Sequence, residues 1–284
     1  MTKSTTVLCP VCDLVLVLTD DPRRSLSCPG GHCFDAAKQG YFNFLTGRGT
    51  NFIEDTGPMV IAREEFQNRG HYAPLAKALC AAIEGHHPEN KLDVLDAGAG
   101  TGYYLGEMIA SISETEAEVD ALALDISRYA MRRAAKLPHT LAMVWDVWRR
   151  LPSADQSRDV VLNCFAPHNP QEFHRVLRAN GICLVVTAAD DHLQEIREPL
   201  GMLGIAENKE ASLIEKFRSA GLQHQQTENL TYAMDLQTSD LFNLAFMGPA
   251  GHHLSPEVLR AKAESLGTQR VNASFGVHMF VRLG

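Results

Sequence analysis

One stretch constrains the fold more than any other part of the chain, residues 92–104, LDVLDAGAGTGYY. Its first apolar and β-branched residues predict a short buried strand. Gly98, Gly100 and Gly102 then permit a tight turn and let a ligand approach the backbone. The amides that follow open a helix, whose N-terminus favours an anionic group. The stretch therefore predicts a nucleotide-type site at the end of a buried strand.

The position of one acid narrows the type of nucleotide. A dinucleotide site reads G-x-G-x-x-G, with a second acid about 20 residues later. Here the glycines read G-x-G-x-G and Asp96 stands two residues before Gly98, at the head of the loop, where it would repel a pyrophosphate. It suits a ligand with an ammonium or sulfonium and a single carboxylate, which describes S-adenosylmethionine. Asp125 ends the next apolar run and is the candidate for the ribose. The stretch resembles motif I of the class I methyltransferases, and Asp125 resembles their motif II acid; a glycine-rich turn without a ligand is the alternative.

The first 50 residues contain two metal-binding knuckles, C-x2-C and C-x3-H, on either side of a predicted hairpin. Such a pair supplies the four ligands of a tetrahedral zinc, with no position left for a catalytic water. We therefore predict a structural zinc, with Cys33 as a substitute for the histidine and the ligand set Cys9, Cys12, Cys28 and His32. Seven cysteines, an odd number, fit reduced thiols and a metal better than disulfides. Buried thiols that lie close by chance are the alternative.

The N-terminal segment reads C-P-x-C…C-P-x-x-H-x-F-D-x-A-K-x-G-Y-x-N and resembles the RlmA family of bacterial 23S rRNA guanine-N1 methyltransferases. A second match, R-x-x-F-x-x-x-G-x-Y-x-P-L, covers residues 63–75. The resemblance implies a zinc module that holds RNA, a methyl transfer to N1 of a guanine in a 23S rRNA hairpin, and a homodimer. Lys38, Tyr41 and Phe42 suit contacts to phosphate and bases. For most of the aromatic rings we expect instead that they pack the small zinc core: Phe34, Tyr41, Phe42 and Phe44.

After residue 91 the pattern alternates between strand and helix. Strands are predicted at 92–96, 119–125, 140–145, 159–165 and 181–187, and helices at 102–112, 127–137 and 170–179. This alternation predicts an α/β class I methyltransferase fold, a Rossmann-like doubly wound sheet, closed by antiparallel strands at 227–236 and 275–283. The predicted domains are a zinc-binding RNA-recognition module (1–50), a linker with a helical lead-in (51–90) and the methyltransferase domain (91–284).

Further site residues follow from position along this sheet. Asp146 lies near the end of the third strand and is the candidate for the adenine amino group, with Trp145 and Trp148 beside it. The resemblance to class I methyltransferases implies that residues 163–167, NCFAP, occupy the slot for the methyl acceptor. Guanine N1 carries a proton at neutral pH, so transfer needs a base or a hydrogen-bond acceptor. The RlmA family has a similar A-P followed by an acid, and this resemblance implies Glu172 or a nearby acid as the catalytic candidate, with Asn163 as a weaker one. A glutamate in the first turn of a helix is the alternative for Glu172.

Composition sets the remaining expectations. A net charge of −8 argues against a protein coated by nucleic acid through charge alone. Basic residues nevertheless gather as an RNA-binding face or as solvated helix faces, at Arg128, Arg132, Arg133, Lys136, Arg149, Arg150, Arg175 and Arg178. The chain has no apolar run of about 18 residues and no signal-peptide core, which predicts a cytoplasmic protein without a membrane span. Two rivals remain, a small-molecule methyltransferase with an accessory zinc domain and a non-catalytic RNA- or ribosome-binding protein.

Overall fold

The computed structural model describes residues 6–20, 23–45, 49–84, 91–113, 117–202, 204 and 209–284, which form two β-sheets and flanking helices. The smaller sheet is antiparallel and lies near the N-terminus. It consists of β1 (Val17–Thr19), β2 (Ser25–Ser27) and β3 (Cys33–Asp35). The predicted hairpin between the two knuckles is thus confirmed, and a third strand extends it.

The larger sheet has eight strands in the order β10-β11-β9-β8-β5-β6-β7-β4. They are β4 (Phe42–Asn43), β5 (Lys91–Ala97), β6 (Glu118–Asp125), β7 (Thr140–Val144), β8 (Arg158–Cys164), β9 (Leu177–Ala188), β10 (Leu222–Leu236) and β11 (Gln269–Arg282). The strands from β9 to β4 are parallel, and β10 and β11 pair antiparallel at the opposite edge. The predicted doubly wound sheet and its closing strands are confirmed.

Helices cover both faces of this sheet. They are α1 (Gly57–Asn68), α2 (Ala73–Ile83), α3 (Tyr103–Ser113), α4 (Arg128–Ala134), α5 (Pro170–Val176), α6 (Gln194–Leu200), α7 (Lys209–Ser219), α8 (Thr238–Phe246) and α9 (Pro256–Leu266). Alternate side chains of β5 point to opposite cores: Val94 packs in one and Leu95 in the other. Among the described residues, no helix is long and apolar enough to cross a membrane.

The helix predicted over 170–179 is shorter than expected. It ends at Val176 because Leu177 already pairs with Arg158 at the start of β9. Arg178, which the prediction placed in the helix, binds Asp159 of the adjacent strand β8 at 2.6 Å and Asp93 of β5, the next strand along, at 2.7 Å. These ion pairs extend β9 into sequence with helical periodicity.

The N-terminal segment is built into the large sheet through β4. Phe42 pairs with Met143 and Asn43 with Val144 of β7. The rings of Phe42 and Phe44 are buried in the same core as Leu26 of the zinc module, so the expectation that these rings pack a core is confirmed. The boundary at residue 50 stays a prediction, but the structure joins the two predicted domains by backbone hydrogen bonds as well as by side chains.

Candidate zinc centre and active site

The four predicted metal ligands converge between the ends of the small sheet. One ligand atom from each of Cys9, Cys12, Cys28 and His32 lies within 4.8 Å of every other. The Sγ atoms of Cys12 and Cys28 are 3.6 Å apart, and Sγ of Cys28 lies 3.4 Å from Nδ1 of His32. Tetrahedral zinc with its usual bond lengths separates neighbouring ligand atoms by about 3.4–3.8 Å. The residues therefore fit a structural zinc, and exposed Cys33 lies outside the cluster.

Local backbone geometry presents these ligands. The N–H of Asp13 donates to the carbonyl of Cys9 (2.9 Å), and that of Gly31 donates to Cys28 (3.0 Å), so each knuckle is a closed turn. A Cβ at Gly30 would lie 3.2 Å from Sγ of Cys12 and crowd the site. Burial raises the pKa of the Cys28 thiol, but hydrogen bonds from His32 outweigh it and lower that pKa to about 6. This shift favours the thiolate at Cys28, whereas the pKa of the neighbouring Cys12 thiol is raised.

A cavity of about 540 Å³ lies where the parallel strands end. Asp96 in β5, Asp125 at the end of β6 and Asp146 just after β7 all line it, together with Gly98 and Gly100. Ligands in open parallel sheets bind outside the carboxyl ends of the strands, as the cavity does here. The structure thus brings five of the six predicted cofactor residues together in one cavity.

Gly102, the sixth, does not line the cavity. A Cβ at this position would lie 2.8 Å from Cδ1 of Leu137 and 3.2 Å from Ala134. Its φ is +82°, a conformation that glycine adopts without strain. The third glycine therefore serves the close packing of α3 against the end of α4 rather than ligand contact.

Two carboxyl groups dominate the electrostatics of the cavity, those of buried Asp96 and half-buried Asp125. Burial, with a further contribution from Asp125, raises the pKa of Asp96 to about 8. Burial also raises the pKa of Asp125, although its oxygens accept from the N–H of Gly100 (2.9 Å) and of Ser127 (2.8 Å). A cationic ligand would relieve this arrangement, because it favours the charged form of both acids. The donor set fits the ammonium or sulfonium of S-adenosylmethionine.

We call residues 163–167 the acceptor loop. Because Gly98 has no side chain, this loop packs directly against the glycine turn. Its φ is +87°, and a Cβ added there would lie 2.3 Å from Cβ of Ala166. The N–H groups of Gly98 and Ala99 both donate to the carbonyl of Leu124, at 2.8 and 2.9 Å. The turn is therefore fixed to β6 and leaves no room for a side chain at its first glycine.

Arg63 in α1 is a site residue that the sequence reasoning matched to a motif without giving it a role. It lines the cavity beside Gly100, pairs with Asp55 (2.7 Å) and donates to the carbonyl of Met247 (2.7 Å). Its charge counteracts the burial of Asp125. A guanidinium at this place suits a ligand carboxylate. The R-x-x-F motif was the signal that could have assigned it.

Residues 46–58 are rich in glycine and polar groups, which predicts a linker or mobile loop. Residues 46–48 lie outside the described residues, and the segment that follows them borders the cavity. We call residues 49–56 the strap. Thr50 Oγ1 donates to Oδ2 of Asp146 (2.8 Å), and Asp55 lies 3.1 Å from Nε2 of His252. Phe52 and Ile53 line the cavity. His252, for which an exposed loop position is the expectation from the sequence, is exposed as a residue, and its side chain contacts Asp55 of the strap.

The two tryptophans separate in role. Trp145 is buried, and its indole N–H donates to the carbonyl of Arg150 (3.2 Å), so it belongs to the core. Trp148 also lines the cavity, is 47% exposed and donates its backbone N–H to Oδ1 of Asp146 (3.0 Å). The Trp148 ring is therefore partly exposed at the cavity, and Nζ of Lys216 lies 5.2 Å from its centroid.

Neither predicted catalytic residue reaches the cavity. Both Glu172 oxygens bind Arg175, and Oε2 also accepts from the N–H of Leu151 (2.6 Å), so the helix-terminus alternative describes this glutamate better. Asn163 is fully buried: its Nδ2 donates to the carbonyls of Ala97 (2.6 Å) and Pro167 (3.1 Å), and its Oδ1 meets His168. Asn163 positions the acceptor loop and has no polar atom left for a substrate.

The basic residues that the sequence grouped together are mostly engaged within the protein. Carboxylates pair with Arg128, Arg133, Arg149, Arg150, Arg175 and Arg178. Arg128 and Arg132 also lie over the ring of Tyr129. Among the described residues, this pattern favours structural ion pairs over a continuous basic face.

Comparisons with known proteins agree with this geometry. Residues 7–46 match the profile of the RlmA N-terminal zinc ribbon. A Micromonospora griseorubida protein that bears the name 23S rRNA (guanine-N(1)-)-methyltransferase is 40% identical over 91% of this chain and 90% of its own length. The 23S rRNA (guanine(748)-N(1))-methyltransferase of Streptomyces fradiae is 38% identical over 94% of this chain and 93% of its own.

One solved structure supports the fold. A chain of the Haloferax volcanii complex between the Trm112 methyltransferase activator and a methyltransferase superposes with a TM-score of 0.52 at 17% identity. The match covers 82% of this chain and the whole of that one. At this identity the likeness concerns the fold alone.

Proposed function

Because this chain belongs to the RlmA family of 23S rRNA (guanine-N1)-methyltransferases, we propose that it transfers a methyl group from S-adenosylmethionine to N1 of a guanine in a 23S rRNA hairpin. The observation that carries the proposal is the presence in one chain of the zinc ribbon and of a cavity lined by Asp96 and Asp125. Each feature alone fits other proteins, and together they match relatives along almost the whole chain.

Each cavity residue has a proposed task. Asp96 pairs with the cationic part of the cofactor, Asp125 accepts from the ribose hydroxyls and Arg63 binds the carboxylate. Asp146 accepts from the adenine amino group, and Trp148 covers the adenine. Bound there, the cofactor supplies an electrophilic methyl group. The residues hold it at the carboxyl ends of β5, β6 and β7, with the acceptor loop alongside.

The deciding experiment incubates the protein with S-adenosylmethionine carrying a labelled methyl group and 23S rRNA from cells that lack the gene. A methyl at guanine N1 blocks the pairing edge of the base, so reverse transcription should stop beside one guanine. The position given in the name of the Streptomyces relative, 748, is the first place to inspect. Methyl incorporation at no rRNA guanine would contradict the proposal. Cofactor binding without any methyl transfer would favour a non-catalytic RNA- or ribosome-binding protein. Methyl transfer only to small molecules would favour a small-molecule methyltransferase with an accessory zinc domain.

The zinc ribbon is proposed to hold the RNA hairpin. A truncation after residue 50 would also remove β4 from the large sheet, so a point variant of the full chain is the better test. Cys28→Ser should raise KM for rRNA while cofactor affinity stays within about twofold of wild type. If Cys28→Ser and wild-type protein have equal KM values for rRNA, the zinc ribbon does not hold the RNA.

A homodimer and a cytoplasmic location complete the proposal. Exposed apolar side chains on the ribbon offer a surface that a second copy could cover: Val11, Leu14, Val15 and Val17. Light scattering of the purified protein should give twice the chain mass of 31.2 kDa, and a monomer at micromolar concentration would contradict the dimer. Ribosomal RNA as substrate is the ground for the cytoplasm.

A further inference from the structure

The cavity extends beyond the residues assigned to the cofactor. Phe165 follows β8, Ala188 ends β9 and His192 follows shortly after, and all three line the cavity. In the sheet, β8 and β9 lie on the opposite side of β5 from β6 and β7. This second half is therefore free of the groups that the cofactor uses, and it lies beside the glycine turn.

Phe165 is held in an unfavourable backbone conformation with its ring in the cavity. Its φ is +53°, which is uncommon for a residue other than glycine, and the residue is 46% exposed. Its N–H donates to the carbonyl of Val186 (3.1 Å), and the Asn163 hydrogen bonds fix the rest of the loop. An aromatic ring kept exposed in this way offers a stacking face for a base.

His192 lines the same half of the cavity, and its neutral imidazole is a hydrogen-bond donor. Its Nδ1 accepts the backbone N–H of Ser274 (3.1 Å), so the proton of the neutral ring is on Nε2. Burial, with Arg197, lowers the pKa of His192 to about 4, and Asp191 only partly opposes them. Among the described residues Nε2 has no hydrogen-bond partner. The ring is thus a fixed N–H donor at neutral pH.

The buried ring of Phe275 packs against both Phe165 and His192. The centroid of Phe275 lies 5.4 Å from that of Phe165 and 4.6 Å from that of His192. Nearby, the hydroxyl of Tyr104 is buried, lines the cavity and has no partner among the described residues. A polar atom left in this state points to a ligand that supplies the missing bond. A base stacked on Phe165 would lie beside His192.

Resting on the proposed function, we propose that this half of the cavity is the target-base subsite, in which Phe165 stacks on the guanine and His192 Nε2–H donates to its O6. The donor selects guanine over adenine, because the amino group of adenine at that position is itself a donor. It also stabilises the N1-deprotonated base, whose negative charge is shared between N1 and O6.

The transfer then balances without a protein base. The N1 proton leaves to water and the base carries one negative charge. The N1 lone pair forms the new N–C bond as the S–C bond breaks, and its electron pair stays on sulfur. The products are neutral N1-methylguanine and S-adenosylhomocysteine. His192 keeps its proton throughout, so its part is to position the base and stabilise the anion.

Other ionisable groups lie near the subsite, and a change in their protonation would also alter the pH dependence of kcat. Beside His192 these are Asp191 and Arg197, and the cavity adds Asp55, Arg63, Tyr72, Asp96, Tyr104, Asp125, Asp146 and His252. Saturating cofactor keeps the acids paired with its cation, so the remaining pH dependence of kcat reports the bound guanine.

The test compares His192→Phe with His192→Gln in the full-length protein, after transfer to a mapped rRNA guanine has been shown. Phenylalanine keeps a ring against Phe275 but donates nothing, whereas glutamine can both accept from Ser274 and donate. His192→Phe should lower kcat roughly 10- to 100-fold at pH 7. It should also move the alkaline rise of kcat up by about one to two pH units. His192→Gln should restore most of both.

A second substrate separates positioning from folding. Sulfur is a weak acceptor, so with 6-thioguanosine at the target site the loss caused by His192→Phe should shrink to about threefold or less. The matched control is His174→Phe in α5, which lies outside the cavity lining and should leave the pH profile unchanged. Phe165→Leu should raise KM for the hairpin roughly tenfold with a smaller change in kcat.

The outcomes are distinct. If wild-type protein methylates guanine N1 and His192→Phe lowers kcat equally at every pH and on both substrates, the histidine is only structural and this inference is wrong. If wild-type protein methylates no rRNA guanine, the proposed function fails instead. A pH shift reversed by glutamine supports the subsite, and binding of the hairpin to catalytically slow His192→Phe, measured by fluorescence anisotropy, shows that the protein remains folded.

Discussion

Replacing Asp96 by asparagine should stabilise the cofactor-free protein while it weakens cofactor binding. The carboxyl group is 2% exposed, and burial beside Asp125 raises its pKa from 3.8 to about 8. Because the pKa is higher in the folded protein, the chain releases a proton on unfolding and stability falls as pH rises. The penalty is absent below about pH 4 and complete above about pH 8.

The size of this effect follows from the shift. Each unit between the two pKa values costs about 1.4 kcal/mol, so at pH 7 the penalty is on the order of 4 kcal/mol. Asp96→Asn removes it, which for a chain of this size corresponds to a rise in melting temperature of about 10 °C. The difference between variant and wild type should be small at pH 5 and large at pH 8.

Thermal unfolding of cofactor-free protein at pH 5, 6, 7 and 8 measures this. Asp93→Asn is a matched control on the same strand with the opposite sign. In the wild-type protein, burial opposes the ionisation of the Asp93 carboxyl group. Hydrogen bonds from Lys91 and Arg178 outweigh that effect and lower the pKa of Asp93. That variant should be less stable than wild type at pH 7. An Asp96→Asn protein that melts at or below the wild-type temperature from pH 6 to 8 would refute the reasoning.

Calorimetric titration supplies the second half of the test. The cofactor affinity of wild-type protein should rise from pH 6 to about pH 8, because Asp96 must lose its proton to pair with a cation. Above that pH the affinity should level off. Asp96→Asn should bind more weakly, with a flatter pH profile.

Three further predictions concern other parts of the site. Gly98→Ala should lose most cofactor affinity, since the added Cβ meets Ala166 at 2.3 Å; calorimetry measures the loss, and unchanged affinity would contradict the close approach. Cys28→Ser should lower the zinc content below one per chain and the melting temperature with it, as shown by metal analysis and calorimetry. Glu172→Gln should leave kcat within about threefold of wild type while unfolding becomes easier by about 1–3 kcal/mol, because the Leu151 N–H and Arg175 lose a charged partner; a hundredfold lower kcat in a stable protein would restore Glu172 as a catalytic candidate.

The sequence predicted the elements whose signals are local. The strand before Gly98, the zinc knuckles and the alternation from residue 91 are patterns of near neighbours, and the structure agrees with each. The end of α5 was missed because Arg178 pairs with Asp93 and Asp159 across the sheet, a long-range contact that periodicity does not contain.

The same distinction applies to the site. Asp96 and Asp125 could be placed from the glycine turn, whereas Glu172 was chosen because it follows the acceptor motif. Its carboxylate turns instead toward Arg175, one turn along the same helix. Arg63 and His192 reach the cavity from elements far apart in sequence, and the tautomer of His192 depends on a backbone group in β11. No pattern of neighbouring residues in the sequence predicts that these groups lie together in the cavity.

The short strand β4 also bears on how the protein is made and kept in solution. Without it, β7 would present an open row of backbone groups at the sheet edge, which is a template for aggregation. The metal ligands lie within 24 residues of chain and can assemble as soon as they leave the ribosome, whereas β4 must wait for β7, about 100 residues later. A ribbon that folds only around its metal would keep β4 in place, so zinc would act indirectly on the edge of a sheet that it does not touch.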